Sequence, residues 1–228
     1  MYIVYRGRTN TELGLDISDA PAASKAARKY NSKTIPGRAE AAWELQDEYV
    51  SYKLQCTFVA RYVVDLAAIR EWLSGSGDLI MSDESTRKRK ALSCDIVGIK
   101  RAGASGDIKE LTASFEVQPF AYLVVPELIT LTTPGVIVNP GTIYSEPVIT
   151  VTGSGDITLT VNGENITLYD VDGYITLDVP RRLAYKGSTV LLNQTSRDFL
   201  PMLCVGNNAI SWAGDVTSVT IAPNWRWI

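Results

Sequence analysis

The stretch that decides the fold runs from Ile149 to Val179, "ITVTGSGDITLTVNGENITLYDVDGYITLDV". Ile149 and Val151, then Ile157, Leu159 and Val161, then Ile166 and Leu168, then Ile175, Leu177 and Val179 alternate with threonine and other polar residues. A period of two sends one set of side chains to a buried face and the other to water, as half-buried strands require. Asn162-Gly163, set between two such runs, is a type I′ hairpin signal. Gly153-Ser154-Gly155-Asp156 and Asp172-Gly173 read as further chain reversals. Short strands separated by turns at this spacing indicate an antiparallel sandwich or barrel. Asp170-Val171-Asp172-Gly173 shares a fragment with calcium loops but lacks the further ligands and the closing glutamate, so it reads as a turn.

The same texture continues to the end, where "VTSVTIAPNWRWI" adds a strand. On the other side it stops at "PELITLTTPGVIVNPG", residues 126–141, a β-prone linker punctuated by prolines and glycines. That change of texture divides the chain into 1–130 and 131–228. Within the first part, "KLQCTFVARYVV", "GDLIMSD", "ALSCDIVGIKRAG" and "ELTASFEVQPFAYL" read as strands, the last two joined by a glycine-rich turn at Gly103 to Gly106. One helix is expected at 65–74. Asp65 suits its N-cap, Gly75 suits the position just past its end, and Leu66, Ile69, Trp72 and Leu73 share one face. Residues 18–42 mix small, polar and basic residues without a period, and read as an extended arm. Pro36 holds Ile35 extended and Gly37 permits a turn. The fold class is therefore mainly β, in two sandwich-like domains, the first carrying a single helix.

Composition removes most chemistry. The 228 residues include no histidine, so Ser-His-Asp and Cys-His catalysis and the commonest metal ligand are absent. Cys56, Cys94 and Cys204 are too widely spaced for a zinc site and read as reduced, buried residues. No phosphate-binding glycine loop occurs, and the acidic residues form no pair of the kind hydrolysis uses. No catalytic residue, metal site or cofactor is expected. A net charge of −3 gives no global field for nucleic acid or anionic membranes. No apolar run is long enough to cross a bilayer, so no membrane insertion is expected. The first ten residues lack the apolar core of a secretory signal, so the sequons at Asn165 and Asn193 are read as accidental.

Two local features invite a functional reading. "TRKRK", Thr86 to Lys90, is a basic cluster without interleaved aromatics, and a solvated loop is the preferred reading. Trp212, Trp225 and Trp227 lie near Asn207, Asn208 and Asp215. Aromatic faces beside amides bind sugars or partners, yet core or subunit packing is the preferred role for these tryptophans.

Several segments, in order, resemble the distal tail (Dit) proteins of siphophages, the long-tailed bacteriophages. They are Ile35-Pro36-Gly37-Arg38; Trp72-Leu73-Ser74-Gly75 followed by Leu79-Ile80-Met81-Ser82-Asp83; and Phe115 to Phe120. In the second part they are Asn139-Pro140-Gly141, Ser145-Glu146-Pro147, "ITVTGSGDITLTVNG" and "NNAISWAGDVTSVTIAPNWRW". Ala39-Glu40-Ala41-Ala42 departs from the family, which often carries a glycine soon after the first motif. The resemblance implies an N-terminal domain that assembles as a homo-hexameric ring and a C-terminal galectin-like sandwich outside it. It implies a virion protein of the tail tip or baseplate, assembled in the host cytoplasm. The ring would join the tail tube protein to the tail-associated hub protein and to receptor-binding proteins, leaving a channel through which DNA passes. Ile35, Pro36, Gly37 and Arg38 are the expected subunit interface. Asn207, Asn208 and Trp212 are the candidate contact with a glycan or protein partner. The alternatives are a carbohydrate-binding module for the host cell wall and a tail tube subunit.

Overall fold

A computed structural model describes residues 1–21, 25–101, 106–196 and 201–228, apart from the side chains of Asp47 and Leu192. The chain divides into two compact units, Met1–Val124 with Ile228, and Val125–Trp227. Both are built from antiparallel strands, so the fold is mainly β, as the alternation implied.

The first unit contains β1 (Ile3–Tyr5), β2 (Arg8–Thr9), β3 (Leu15–Asp19), β4 (Arg28–Lys33), β5 (Ala42–Tyr49) and β6 (Tyr52–Ala60). After them come α1 (Leu66–Trp72), β7 (Gly77–Met81), β8 (Arg87–Arg101) and β9 (Ile108–Leu123). A seven-stranded sheet runs β2-β1-β7-β8-β9-β6-β3, while β4 and β5 pair only with each other. The helix begins where Asp65 Oδ1 accepts from the Ala67 N–H at 2.8 Å, an N-cap that satisfies one of the helix's free donors. Its other end is closed by Arg6, whose guanidinium donates to the carbonyls of Glu71 at 3.0 Å and Ser74 at 2.7 Å. A cation there also complements the helix dipole. Ile69, Trp72 and Leu73 are buried against the sheet with Tyr5, Phe58 and Phe115. Trp72 meets Phe58 edge-on at 5.8 Å, Tyr5 meets Phe115 edge-on at 5.1 Å, and the indole N–H donates to the Tyr5 carbonyl at 2.9 Å. Burial without an unpaired N–H is what makes tryptophan acceptable in a core.

The second unit contains β10 (Ile129–Leu131), β11 (Gly135–Asn139), β12 (Val148–Val161), β13 (Glu164–Asp178), β14 (Leu183–Lys186), β15 (Thr189–Val190) and β16 (Gly206–Ala222). They form one sheet in the order β10-β16-β12-β13-β14-β15, with β11 also on β16. Ile149, Val151, Ile157, Leu159, Ile175 and Leu177 are buried to 1% exposure or less, while Thr150, Thr158 and Thr160 are half-buried; Thr176 is buried as well. Asn162-Gly163 makes the expected two-residue reversal, Val161 pairing Glu164.

The other glycine-rich stretches do not reverse the chain. β12 runs unbroken through Gly153–Asp156, and β13 runs unbroken through Asp172-Gly173, so four expected short strands are two long ones. The register shifts between Gly155 and Ile157 against β13, and before Gly153 and again after Ser154 against β16. These are bulges, which bend a ladder rather than end it. Gly153 sits where β16 crosses closest. A Cβ there would lie 2.1 Å from the Asp215 carbonyl oxygen and 2.9 Å from Ile157 Cδ1, so only glycine lets the strands meet.

Three further readings change. The segment expected to be an irregular arm carries the end of β3 and all of β4, which pairs with β5. Thr86–Lys90 is not a loop, since Arg87 onward belongs to β8. Of the cysteines, Cys56 and Cys94 are buried but Cys204 is exposed. Of the turn expected at Gly103–Gly106, residues 103–105 lie outside the described residues.

Candidate interaction surfaces

Ile35-Pro36-Gly37-Arg38 forms the turn in the loop between β4 and β5. The Arg38 N–H donates to the Ile35 carbonyl at 3.1 Å, and Gly37 has φ +83°. Proline followed by a residue with positive φ is a type II turn, which explains both residues. Pro36, Gly37 and Arg38 are exposed and Ile35 is partly so. The hairpin that carries them is anchored at its base, where Tyr49 meets Phe120 edge-on at 5.3 Å. Beyond that base it stands clear of the sheet, and all six residues of β4 are exposed.

Register gives this hairpin two unlike faces. Tyr30 pairs Leu45 and Ser32 pairs Trp43, so Tyr30, Leu45 and Trp43 share one face, with 62%, 49% and 66% of their surface in water. Asn31 and Glu44 occupy the other. Reading the segment as an arm missed this face, although Trp43-Glu44-Leu45-Gln46 carries the alternation that marks a half-buried strand.

Asn207, Asn208 and Trp212 do not come together. Asn208 pairs buried Ile137 and Asn207 pairs exposed Val138, so the two side chains leave β16 on opposite faces. The Asn208 amide is fully used inside the fold. Its oxygen accepts from the Cys204 N–H and from Asn162 Nδ2, both at 2.8 Å, and its nitrogen donates to the carbonyls of Cys204 and Gly206. Trp212 pairs buried Leu159 and is itself half-buried on that same inward face. Trp225 and Trp227 are buried, and Trp225 donates to Glu127 Oε2 at 2.7 Å.

The basic cluster is engaged within the chain, although its four cations share two carboxylates. Lys88 pairs Asp78 at 2.7 Å, Arg89 pairs Glu84 at 2.6 Å with Arg87 at 3.7 Å from the same carboxylate, and Lys90 lies 4.8 Å above the Tyr122 ring. Charges held by such partners are less available to a phosphate backbone. Arg89 also donates to the Tyr52 hydroxyl. Burial costs its cation something, but the bonds to Glu84 and Tyr52 outweigh that and keep it above the ordinary guanidinium range. Burial pushes the Cys56 and Cys94 thiols up to about 12, so neither is a thiolate nucleophile near neutrality. No cluster of three metal-ligating side chains occurs among the described residues.

One concave feature lies beside the helix. Arg70 of α1 and Ile96, Val97, Gly98 and Ile99 of β8 line a shallow groove of about 290 Å³. β8 shifts register against β9 between Ile96 and Gly98, and the bulge turns Val97 outward, 57% exposed.

No protein-family model matches the sequence, and comparison with curated proteins gives no match. Comparison with solved structures does. The fold is similar to the crystal structure of the SPP1 Dit (gp 19.1) protein, described as a paradigm of the hub adsorption apparatus in phages infecting Gram-positive bacteria. The TM-score is 0.71 at 12% sequence identity, and the alignment covers 96% of each chain. The likeness that the ordered motifs suggested is thus present in the fold, across both compact units.

Proposed function

We propose that the chain is a structural subunit of a phage tail tip or baseplate, not an enzyme. The observation that carries this reading is the likeness to a hub protein over 96% of both chains, in a single alignment spanning two units. A shared fold alone does not determine function. Here the rest of the molecule agrees, because histidine is absent and the two buried thiols are inert. The subunit forms a homo-hexameric ring that joins the tail tube protein to a tail-associated hub protein and to receptor-binding proteins. DNA passes through its central channel only in transit. It resides in the virion tail and is assembled in the host cytoplasm. The turn at Ile35–Arg38, exposed at the end of a projecting hairpin, belongs to the interface between neighbours.

Negative-stain electron microscopy with light scattering tests this directly. Closed rings of roughly six chain masses are expected. A strict monomer at high concentration would overturn the reading, and long stacked tubes would replace it with a tail tube subunit. Arg38→Glu should weaken assembly without lowering the melting temperature; unchanged assembly removes that turn from the interface. The carbohydrate alternative gains nothing from the geometry, since Asn207 and Asn208 point to opposite faces and the Asn208 amide is already spent.

A further inference from the structure

We propose that Asn162 is a deamidation site, which the folded second unit holds closed and which opening of the β12–β13 tip releases. Asn162-Gly163 is the one Asn-Gly pair in the sequence. The reaction needs no enzyme and no reagent but water. The Gly163 backbone nitrogen attacks Asn162 Cγ, and the new C–N bond closes a succinimide ring. The side-chain nitrogen leaves as ammonia, carrying the proton that Gly163 gives up. Water then opens the ring at either carbonyl and leaves an aspartate or an isoaspartate at position 162. Glycine favours the attack because no Cβ shields its nitrogen. Asn162 and Gly163 are both exposed, so access of water does not limit the step.

What limits it is that both ends of the carboxamide are held. Asn162 Oδ1 accepts from the Ala209 N–H at 3.0 Å, and Nδ2 donates to Asn208 Oδ1 at 2.8 Å. Backbone donors fix both amides in this orientation, since the Ala209 and Cys204 N–H groups can bond only an amide oxygen. The Asn162 N–H also donates to the Ala209 carbonyl at 2.9 Å, so the tip is tied to β16 by backbone as well as side chain. In the left-handed geometry of Asn162, φ +53°, the next nitrogen lies on the far side of the Cα–C bond from Cβ. Ring closure therefore requires the turn to open, and its rate follows the population of the open tip. Conversion then leaves a mark on the fold. The new carboxylate only accepts, and it faces Asn208 Oδ1, which also only accepts. Asn208 cannot turn over to offer its nitrogen, because that nitrogen donates to the carbonyls of Cys204 at 2.8 Å and Gly206 at 2.9 Å. Two acceptors meet where a hydrogen bond was, and the tip is weakened on β16.

A time course of peptide mass spectrometry near neutral pH tests the gating. In the urea-denatured chain the peptide carrying Asn162 should show the amide-to-acid change in mass. In the native chain the same change should be roughly tenfold slower or more, the cost of two surrendered hydrogen bonds. Equal rates in the two conditions, or no conversion even in urea, would overturn the proposal. The mark on the fold is read from Asn162→Asp. Asp-Gly suits a type I′ turn as Asn-Gly does, and the carboxylate still accepts from the Ala209 N–H, so only the Asn208 contact changes sign. The denaturation midpoint of the second unit should fall below that of the unmodified chain, and an unchanged midpoint would overturn the clash at Asn208. The time course needs no variant, so it decides the gating whether or not Asn162→Asp folds.

Discussion

The chain contains two antiparallel ribbons that each turn on a glycine with positive φ and that have opposite surroundings. β12 and β13 are joined at Asn162-Gly163, and β4 and β5 by a loop that turns at Pro36-Gly37. Gly163 has φ +84° and Gly37 φ +83°. In the first ribbon one face is buried, with Ile157, Leu159 and Leu168 fully out of water. In the second, β4 is exposed throughout, and Trp43 and Leu45 of β5 stand in solvent. Backbone pairing is common to both, so it cannot be what distinguishes them. What differs is apolar burial, worth about 1.5–3 kcal/mol for each fully buried aliphatic side chain. The first ribbon is held by its own unit. The second, beyond the Tyr49–Phe120 contact at its base, is not.

The largest effect should come from the place where the first ribbon is most constrained. Gly153→Val would drive a side chain into the Asp215 carbonyl, where even a Cβ would be 2.1 Å from the oxygen. Strand separation is the only relief, and we expect a loss of more than about 3 kcal/mol, read as a collapse of the second unit's denaturation midpoint. A near-normal midpoint would mean that β12 and β16 can part without consequence, and would break the account of the bend.

Next in size is the same truncation made in both ribbons. Leu159→Ala removes a fully buried side chain and should cost about 2–5 kcal/mol. Leu45→Ala removes one that is 49% exposed and should change the stability of the unassembled chain by less than about 0.5 kcal/mol. Urea denaturation of both variants, at a concentration where the chain is not assembled, gives the ratio. Equal losses would show that the hairpin face is covered within its own chain.

The two ribbons also explain what the sequence could and could not convey. The helix was legible because its signals are local: Asp65 bonds an amide two residues on, and Ile69, Trp72 and Leu73 follow the helical period. The Ile157–Leu168 hairpin was legible because alternation and turn agree. Gly153–Asp156 was misread because a bulge and a reversal ask for the same residues. Which one forms depends on β16, some 60 positions away in the chain. β4 was illegible because a strand with no buried face shows no alternation to read. The basic run read as a loop because its partners, Asp78, Glu84 and Tyr122, are not its neighbours in sequence. Asn208 offered no signal at all, since an amide spent on backbone groups is spelled the same as one awaiting a ligand.

The smallest expected effect is the most discriminating. Gly37 and Gly163 share a positive φ, and a Cβ at either would meet nothing within 4 Å. Alanine at each site therefore brings only the cost of a left-handed backbone, about 1–2 kcal/mol. At Gly163 the turn closes a ribbon that unfolds with its core, so Gly163→Ala should lower the global stability by about that amount. At Gly37 the ribbon opens without disturbing any buried side chain, so Gly37→Ala should leave the global transition where it was. Its cost should appear instead as faster amide exchange in β4 and β5, because local opening is governed by local free energy. Under assembly that difference should vanish, since a ribbon gripped by a neighbour can no longer open alone, and Gly37→Ala should then weaken the ring by the same 1–2 kcal/mol. A Gly37→Ala chain that loses global stability while unassembled would show that both ribbons are held from within, and the distinction between them would be gone.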